Sequence, residues 1–215
     1  MEISWYGQSC FRIKAKEGIV VIDPFVKIGL VEPKLKADIC LVTHNHPDHN
    51  NISLVSGISS AKPFFVSGPG EYEIGNIIVN GINSSHTSGE EGEPNTIYTF
   101  TAEGISVCHL GDLGQKSLSD AQLEALNGVD ILMVPVGGKY TIDGKEAVDI
   151  ISQIEPKIVI PMHYKIAGLT IDIDDITKFT KAEGVSGESK EPVLKISAAT
   201  MPEEERETVI LKPIH

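Results

Sequence analysis

The 215-residue chain carries 18 basic against 30 acidic side chains, a formal charge of −12 that disfavours nucleic acid phosphates and anionic membrane surfaces as partners. Its longest apolar runs, Gly18 to Ile22 and Val129 to Val136, fall far short of the ~20 residues of a membrane helix, and Met1-Glu2-Ile3-Ser4-Trp5 has neither the basic start nor the apolar run of a secretory signal. These features predict one domain over 1–215, cytoplasmic, with room for a homo-oligomer, in which Cys10, Cys40 and Cys108 are small buried hydrophobes rather than metal ligands or a disulfide set.

Short β-branched runs separated by turn residues make the first half mostly strand: Ile3 to Tyr6, Cys10 to Lys14, Ile19 to Ile22, Ile39 to Val42, Phe64 to Ser67 and Ile77 to Asn80. Gly7-Gln8-Ser9 and Lys16-Glu17-Gly18 read as hairpin turns, and Ser67-Gly68-Pro69-Gly70 as a tight loop. The second half begins with a strand pair, Thr96 to Thr101 and Ile105 to Leu110. Ser119 with Gln122 then opens a helix through Leu126 that stops at Gly128. Ala147, Ile150, Ile151 and Ile154 share one face of a second helix closed by Pro156, and strands Ile131 to Val134 and Lys157 to Ile160 follow the two helices. A third helix is expected from Asp174 towards Lys181, then strands Val193 to Ile196 and Thr208 to Leu211. Ser88 to Glu93 and Lys181 to Glu191 read as solvated loops. Sheets packed on each other and covered by a few amphipathic helices, a layered α/β arrangement, account for this order.

The chemistry concentrates in Thr43-His44-Asn45-His46-Pro47-Asp48-His49, directly after the strand Ile39 to Val42, where four potential metal ligands fall within six positions. Alternation sends His44 and His46 to one side of the strand end, and the turn at Pro47 brings Asp48 and His49 round to a neighbouring point. Imidazole and carboxylate suit zinc and the neighbouring first-row metals, and three of the chain's seven histidines sit here, where burial without a ligand role is costly.

This His-x-His-x-Asp-His phrase resembles the signature of the metallo-β-lactamase superfamily. Gly68-Pro69-Gly70-Glu71-Tyr72, Cys108-His109-Leu110-Gly111-Asp112-Leu113-Gly114 and Ile160-Pro161-Met162-His163-Tyr164-Lys165 look like its compact branch that includes ascorbate-6-phosphate lactonase-like hydrolases. The resemblance implies a four-layer αβ/βα sandwich and two divalent ions, zinc foremost with manganese or iron admitted. One ion would take His44, His46 and His86, the other Asp48, His49 and His163, with Asp112 bridging the two. Singly, His86 reads equally as a loop histidine, Asp112 as a turn former and His163 as a surface residue; their joint match to the pattern favours ligation. Asp23, before Pro24, matches the early aspartate that would orient the metal loop, and reads equally as a turn former. His109 is assigned to the core or to support behind the ligands, and His215 to a frayed end.

The activity implied is attack by a hydroxide held between the two ions on the carbonyl or phosphoryl centre of a small lactone or phosphoester, with Asp48 both ligand and catalytic proton relay. Lys139, Tyr140 and Thr141 follow a strand and the Gly137-Gly138 turn, and read either as a pocket rim that meets substrate or, for Lys139 equally, as an exposed turn without catalytic duty; Tyr164 and Lys165, beside His163, share both readings. The alternative from another class is a non-catalytic metal-binding sensor or scaffold on the same fold. The chain departs from many relatives at Gly7-Gln8, where they carry Gly-His, and at Glu93-Pro94-Asn95-Thr96, where they often carry an arginine before the Asn-Thr pair.

Overall fold

The computed structural model describes residues 1–59, 62–86, 92–187 and 191–214. Apolar alternation and glycine-assisted turns make an opening antiparallel meander of β1 (Glu2–Trp5), β2 (Phe11–Lys14) and β3 (Ile19–Ile22), turned at the two expected places. The chain then changes to parallel pairing through β4 (Leu35–Ala37), β5 (Ile39–Val42), β6 (Val55–Gly57) and β7 (Phe64–Ser67). Of these, β5 lies between β3 and β7, while β4 and β6 form a small ladder of their own. Next comes an antiparallel run of β8 (Gly70–Ile74), β9 (Ile77–Ser85), β10 (Pro94–Ala102) and β11 (Ile105–His109). Helix and strand alternate after it as α1 (Asp120–Ala125), β12 (Ile131–Pro135), α2 (Gly144–Ile154), β13 (Ile158–Met162) and α3 (Thr177–Glu183), before β14 (Val193–Lys195) and β15 (Glu207–Thr208).

One sheet has the order β14-β1-β2-β3-β5-β7 and the other β15-β13-β12-β11-β10-β9-β8. Trp5, Phe11, Ile22 and Leu41 of the first and Val79, Tyr98, Phe100 and Val107 of the second belong to one buried cluster, so the sheets face each other across it. Each large apolar side chain buried there contributes roughly 1.5–3 kcal/mol, which makes this layer the dominant source of stability. The apolar face of α2, with Ala147, Ile150, Ile151 and Ile154, joins the same cluster. On the other face of the first sheet, Cys10, Val21 and Cys40 pack with Phe25, Leu35 and Leu169, a cover built from irregular segments and β4–β6. The outcome is the expected α/β sandwich, mostly sheet with few helices. All three cysteines are buried and free, and no described helix is long and apolar enough to cross a membrane.

Several boundaries differ from expectation for identifiable reasons. Strand β8 is a short edge strand whose alternation of exposed Glu71 and Glu73 with half-buried Tyr72 and Ile74 covers only four residues after a glycine-proline loop, and it escaped the sequence reading. Strand β13 runs on through Pro161 because β15, its outer neighbour, pairs only with Ile158 and Val159 and leaves no ladder bond for the missing N–H to break. The third helix begins at Thr177 rather than Asp174, since the Asp175 carboxylate accepts from the Thr177 N–H and forms a turn instead. Residues 181–183, expected in a loop, finish that helix, and only Glu207–Thr208 pair where Thr208 to Leu211 was expected. Residues 88–91, 188–190 and 215, on which three expectations fell in whole or part, lie outside the described residues.

Both predicted features of α1 are present: Ser119 and Gln122 form a reciprocal capping box, and Gly128 follows with φ +80°. In α2, Asp143 accepts from the N–H groups of Lys145 and Glu146, while Glu146 accepts from the Asp143 N–H. Asp143→Ala removes this box and should cost about 1 kcal/mol in denaturant unfolding; a loss of only a few tenths would show that packing alone sets the helix start.

Candidate metal centre

Strands β3 and β5 of one sheet run parallel, as do β11, β12 and β13 of the other, so their carboxyl ends come out at one rim of the sandwich. Asp23 follows β3, Thr43 to His49 follow β5, His86 follows β9, Asp112 follows β11 and His163 follows β13. Segments far apart in the chain are thereby delivered to one place, as at the strand ends of open α/β sheets.

Within the metal-loop motif the turn at Pro47 is closed by the N–H groups of His49 and Asn50 donating to the His46 carbonyl. His44 and His46 emerge on the same side, with His44 Nε2 and His46 Nδ1 3.1 Å apart. The Asp112 carboxylate sits at the centre. Its Oδ2 lies 3.1 Å from His49 Nε2, 3.1 Å from His163 Nε2, 3.4 Å from His86 Nε2 and 3.9 Å from His44 Nε2, while its Oδ1 accepts from the Ser9 hydroxyl at 3.3 Å.

Which ring nitrogens carry protons follows from the partners behind them. Asp23 is fully buried and takes the Thr43 N–H at 2.8 Å on Oδ1, and the Thr43 hydroxyl at 2.7 Å and His49 Nδ1 at 2.9 Å on Oδ2. His49 therefore presents an unprotonated Nε2 to the site when its ring is neutral. The Thr43 hydroxyl has spent its one proton on Asp23, so it accepts from His44 Nδ1 at 3.0 Å, and His44 likewise presents an Nε2 lone pair. Glu93 lies 3.4 Å from His46 Nε2 and turns the lone pair of His46 Nδ1 inward.

Lone pairs and an anionic oxygen crowded to these distances repel one another unless a cation lies among them. A tetrahedral zinc with arms of 2.0–2.1 Å requires ligand atoms about 3.3–3.4 Å apart, close to the separations seen. The electrostatics agree. Burial and then the neighbouring His49 push His44 down to about 3, so it stays neutral. For Asp112 burial acts in the opposite sense, but His163 and His49 prevail and hold the carboxyl well below its usual range. His49 is pulled upward against its burial by Asp112 and Asp23, a sign that the buried carboxylates demand positive charge. The donors form two sets, His44, His46 and His86 in one and Asp48, His49, Asp112 and His163 in the other, each with its ligand atoms within 4.8 Å of one another. This donor chemistry fits divalent metal ions.

Residues 2–163 match the family model for the beta-lactamase superfamily domain. The chain belongs to the metallo-β-lactamase superfamily. A UPF0173 protein of Pyrococcus furiosus is 33% identical, the alignment covering 76% of this chain and 83% of the relative. A UPF0173 metal-dependent hydrolase of Thermoplasma acidophilum is 30% identical over the same shares, 76% and 83%. Among solved structures, a Thermotoga maritima protein described as a candidate Zn-dependent hydrolase of the metallo-β-lactamase superfamily superposes with a TM-score of 0.78 at 32% identity, covering 98% of this chain and 97% of that one. Together with its His/Asp cluster, these relationships make the chain a metal-dependent hydrolase.

In this superfamily member the centre opens into a cavity of about 940 Å³, within the range of small-molecule sites. His46, Asp48, His86, Asp112 and His163 line it together with Lys139, Tyr140 and Thr141. Lys139 is not a free cation, because its ammonium pairs with Asp172 at 2.6 Å. Tyr164 is misplaced by the sequence reading: it is buried against Trp5, ring centroids 5.1 Å apart, and does not line the cavity. Lys165 is also turned away, its ammonium held by the carbonyls of Leu169 and Ile171. His109 reaches none of the donor sets. Burial lowers its pKa, and it donates to the Ser9 carbonyl at 3.0 Å while accepting from the Gly111 N–H at 3.1 Å, joining the first turn to the Asp112 loop.

Three supporting residues escaped the sequence reading. Thr43 was read only as the start of the motif, and nothing local announces Ser9. Asn95, noted only for a missing arginine beside it, accepts from the Asp112 N–H at 3.1 Å and donates to the Leu110 carbonyl at 2.9 Å. A backbone signal was equally invisible. Of the seven described non-glycine residues with positive φ, Gln8, Asp23, Lys27, Lys139 and His163 line the cavity or touch a member of the cluster. Each such conformation costs on the order of 1–3 kcal/mol and gathers where geometry serves function. The His163 turn packs closely against Gly137, where an added Cβ would overlap the His163 carbonyl oxygen. Gly137→Ala should lower stability by about 1–3 kcal/mol in denaturant unfolding; unchanged stability would mean that this close approach is relieved at no cost.

Proposed function

We propose that residues 1–215 act as one hydrolase domain, since both sheets contribute donors, and that they hold two divalent ions which hydrolyse a small carbonyl or phosphoryl substrate of the lactone or phosphoester class. His44, His46 and His86 would hold one ion, Asp48, His49 and His163 the other, and Asp112 would contribute its carboxylate to both. The observation that carries this reading is the buried Asp112 oxygen within 3.1–3.9 Å of four imidazole nitrogens from both donor sets. Zinc is favoured, in keeping with the description of the Thermotoga maritima protein as a candidate Zn-dependent hydrolase; the same ligands accept manganese or iron.

When bound, such ions supply an acidified water as nucleophile and a Lewis acid for the substrate oxygen. The protein's own part is to orient, to move a proton and to bind. Asp23 and Thr43 fix the rings of His49 and His44 from behind, so no reorganisation is needed as the reaction proceeds. Asp48 lines the cavity with its carboxyl held below the usual range, where burial is outweighed by His49, and as an anion it accepts a proton from the nucleophile. Tyr140, exposed along the cavity, offers a hydroxyl to the substrate's polar groups, while Lys139 lines the cavity with its ammonium already paired to Asp172.

Metal analysis of the purified protein, followed by turnover of lactones, phosphomonoesters and phosphodiesters, should give two ions per chain and hydrolysis of one class. Stoichiometric metal without hydrolysis of any class would sink the proposed reaction. His86→Ala and Asp112→Ala should each reduce metal content while far-UV circular dichroism stays unchanged; full occupancy in both would refute the ligand assignment. Asp48→Asn should lower kcat by about 10²–10⁴-fold if the carboxylate moves the proton.

A further inference from the structure

The turn between β1 and β2 meets the metal centre at more points than a hairpin connection requires. The Gln8 carbonyl accepts from Trp5 Nε1 at 2.9 Å and from the His163 N–H at 3.0 Å, and the Ser9 carbonyl and hydroxyl engage His109 and Asp112. Backbone and neighbours together therefore pin the residue from which the Gln8 side chain projects, at φ +51°. That side chain is completely buried. Its amide Nε2 donates to Asp48 Oδ2 at 2.9 Å, the same carboxylate oxygen that lies 3.4 Å from His49 Nε2.

The other end of the amide makes the arrangement informative. Gln8 Oε1 is buried with no hydrogen-bond partner among the described residues. A buried acceptor left unpaired destabilises a fold, and an apolar side chain of the same length would fill the space without that penalty. Packing therefore does not explain an amide here, whereas the bond to Asp48 does. An amide N–H is also a suitable donor for a carboxylate beside an ion: it is uncharged, donates at every pH and does not displace the metal.

We propose that Gln8 is a positioning residue for the ion held by Asp48, His49 and His163, fixing the rotamer of the Asp48 carboxylate so that it faces that ion. The inference rests on the two-ion reading above and assigns to Gln8 an effect on one of the two ions only. Removal of a group that orients a metal ligand lowers metal affinity by about 10–100-fold.

The test is calorimetric titration of the chelator-stripped full chain with Zn²⁺ alone, for the wild type, Gln8→Met and Gln8→His, with Asp48→Ala marking which binding step belongs to the Asp48 set. In Gln8→Met that step should weaken by about 10–100-fold while the other is unchanged, and the melting temperature of the metal-free protein should hold or rise. Gln8→His retains an N–H donor and should keep most of the affinity. Overturning results are unchanged affinity at both steps in Gln8→Met, equal weakening of both steps with a lower metal-free melting temperature, or the same loss in Gln8→His as in Gln8→Met. A wild type that takes up no second ion would instead remove the two-ion reading and this inference with it.

Discussion

A single buried carboxylate oxygen, Asp112 Oδ2, stands among four imidazole nitrogens at 3.1–3.9 Å, and the rest of the molecule makes sense as the means of keeping it there. Buried donors and charges are tolerated only when paired. Here His44, His46 and His49 turn lone pairs towards one another and towards the Asp112 carboxylate, so positive charge among them relieves the repulsion. That requirement connects the electrostatics to the chemistry: a site that must hold cations to relieve its own repulsion is also one that can polarise a substrate.

Keeping such groups in place takes a rigid frame, and the sandwich supplies it through parallel strand ends. The ligands come from segments as far apart as His44 and His163, and each follows a strand anchored in the common core. The strands β12 and β13 that set the Gly137 and His163 turns are buried throughout, so local movement there would disturb packing worth several kcal/mol. Backbone strain concentrates in the same place, at Gln8, Asp23, Lys139 and His163, where the turns must re-aim side chains more sharply than ordinary loops do.

Behind the ligands lies a relay of hydrogen bonds that fixes the rings of His44 and His49 and the carboxylate of Asp112. Asp23 holds His49 directly and His44 through Thr43; Asn95 and Ser9 hold Asp112; His109 ties the Ser9 turn to the Gly111 loop. The two positions at which this chain departs from the common pattern of its relatives both lie against this network. Gln8 contacts Asp48 and Glu93 contacts His46, so the residues at both departures are neighbours of the ligands.

By itself the sequence determined the class of fold, the buried strands and the four clustered residues His44, His46, Asp48 and His49, because periodicity, caps and the His-x-His-x-Asp-His spacing are local properties of the chain, whereas His86, Asp112 and His163 were reached only through the resemblance to the superfamily. Ser119 with Gln122, and the face of Ala147, Ile150, Ile151 and Ile154, were legible for the same reason. Tertiary structure alone decided what stands behind and across from those residues. Tyr164 adjoins His163 in sequence yet turns into the core against Trp5, and Lys139 meets Asp172 from a distant segment. Asp23 and Thr43 became a hydrogen-bonded pair only when β3 and β5 were laid side by side. Local pattern carries the identity of a ligand, whereas its orientation depends on contacts between segments far apart along the chain, and those exist only once the sheets have packed.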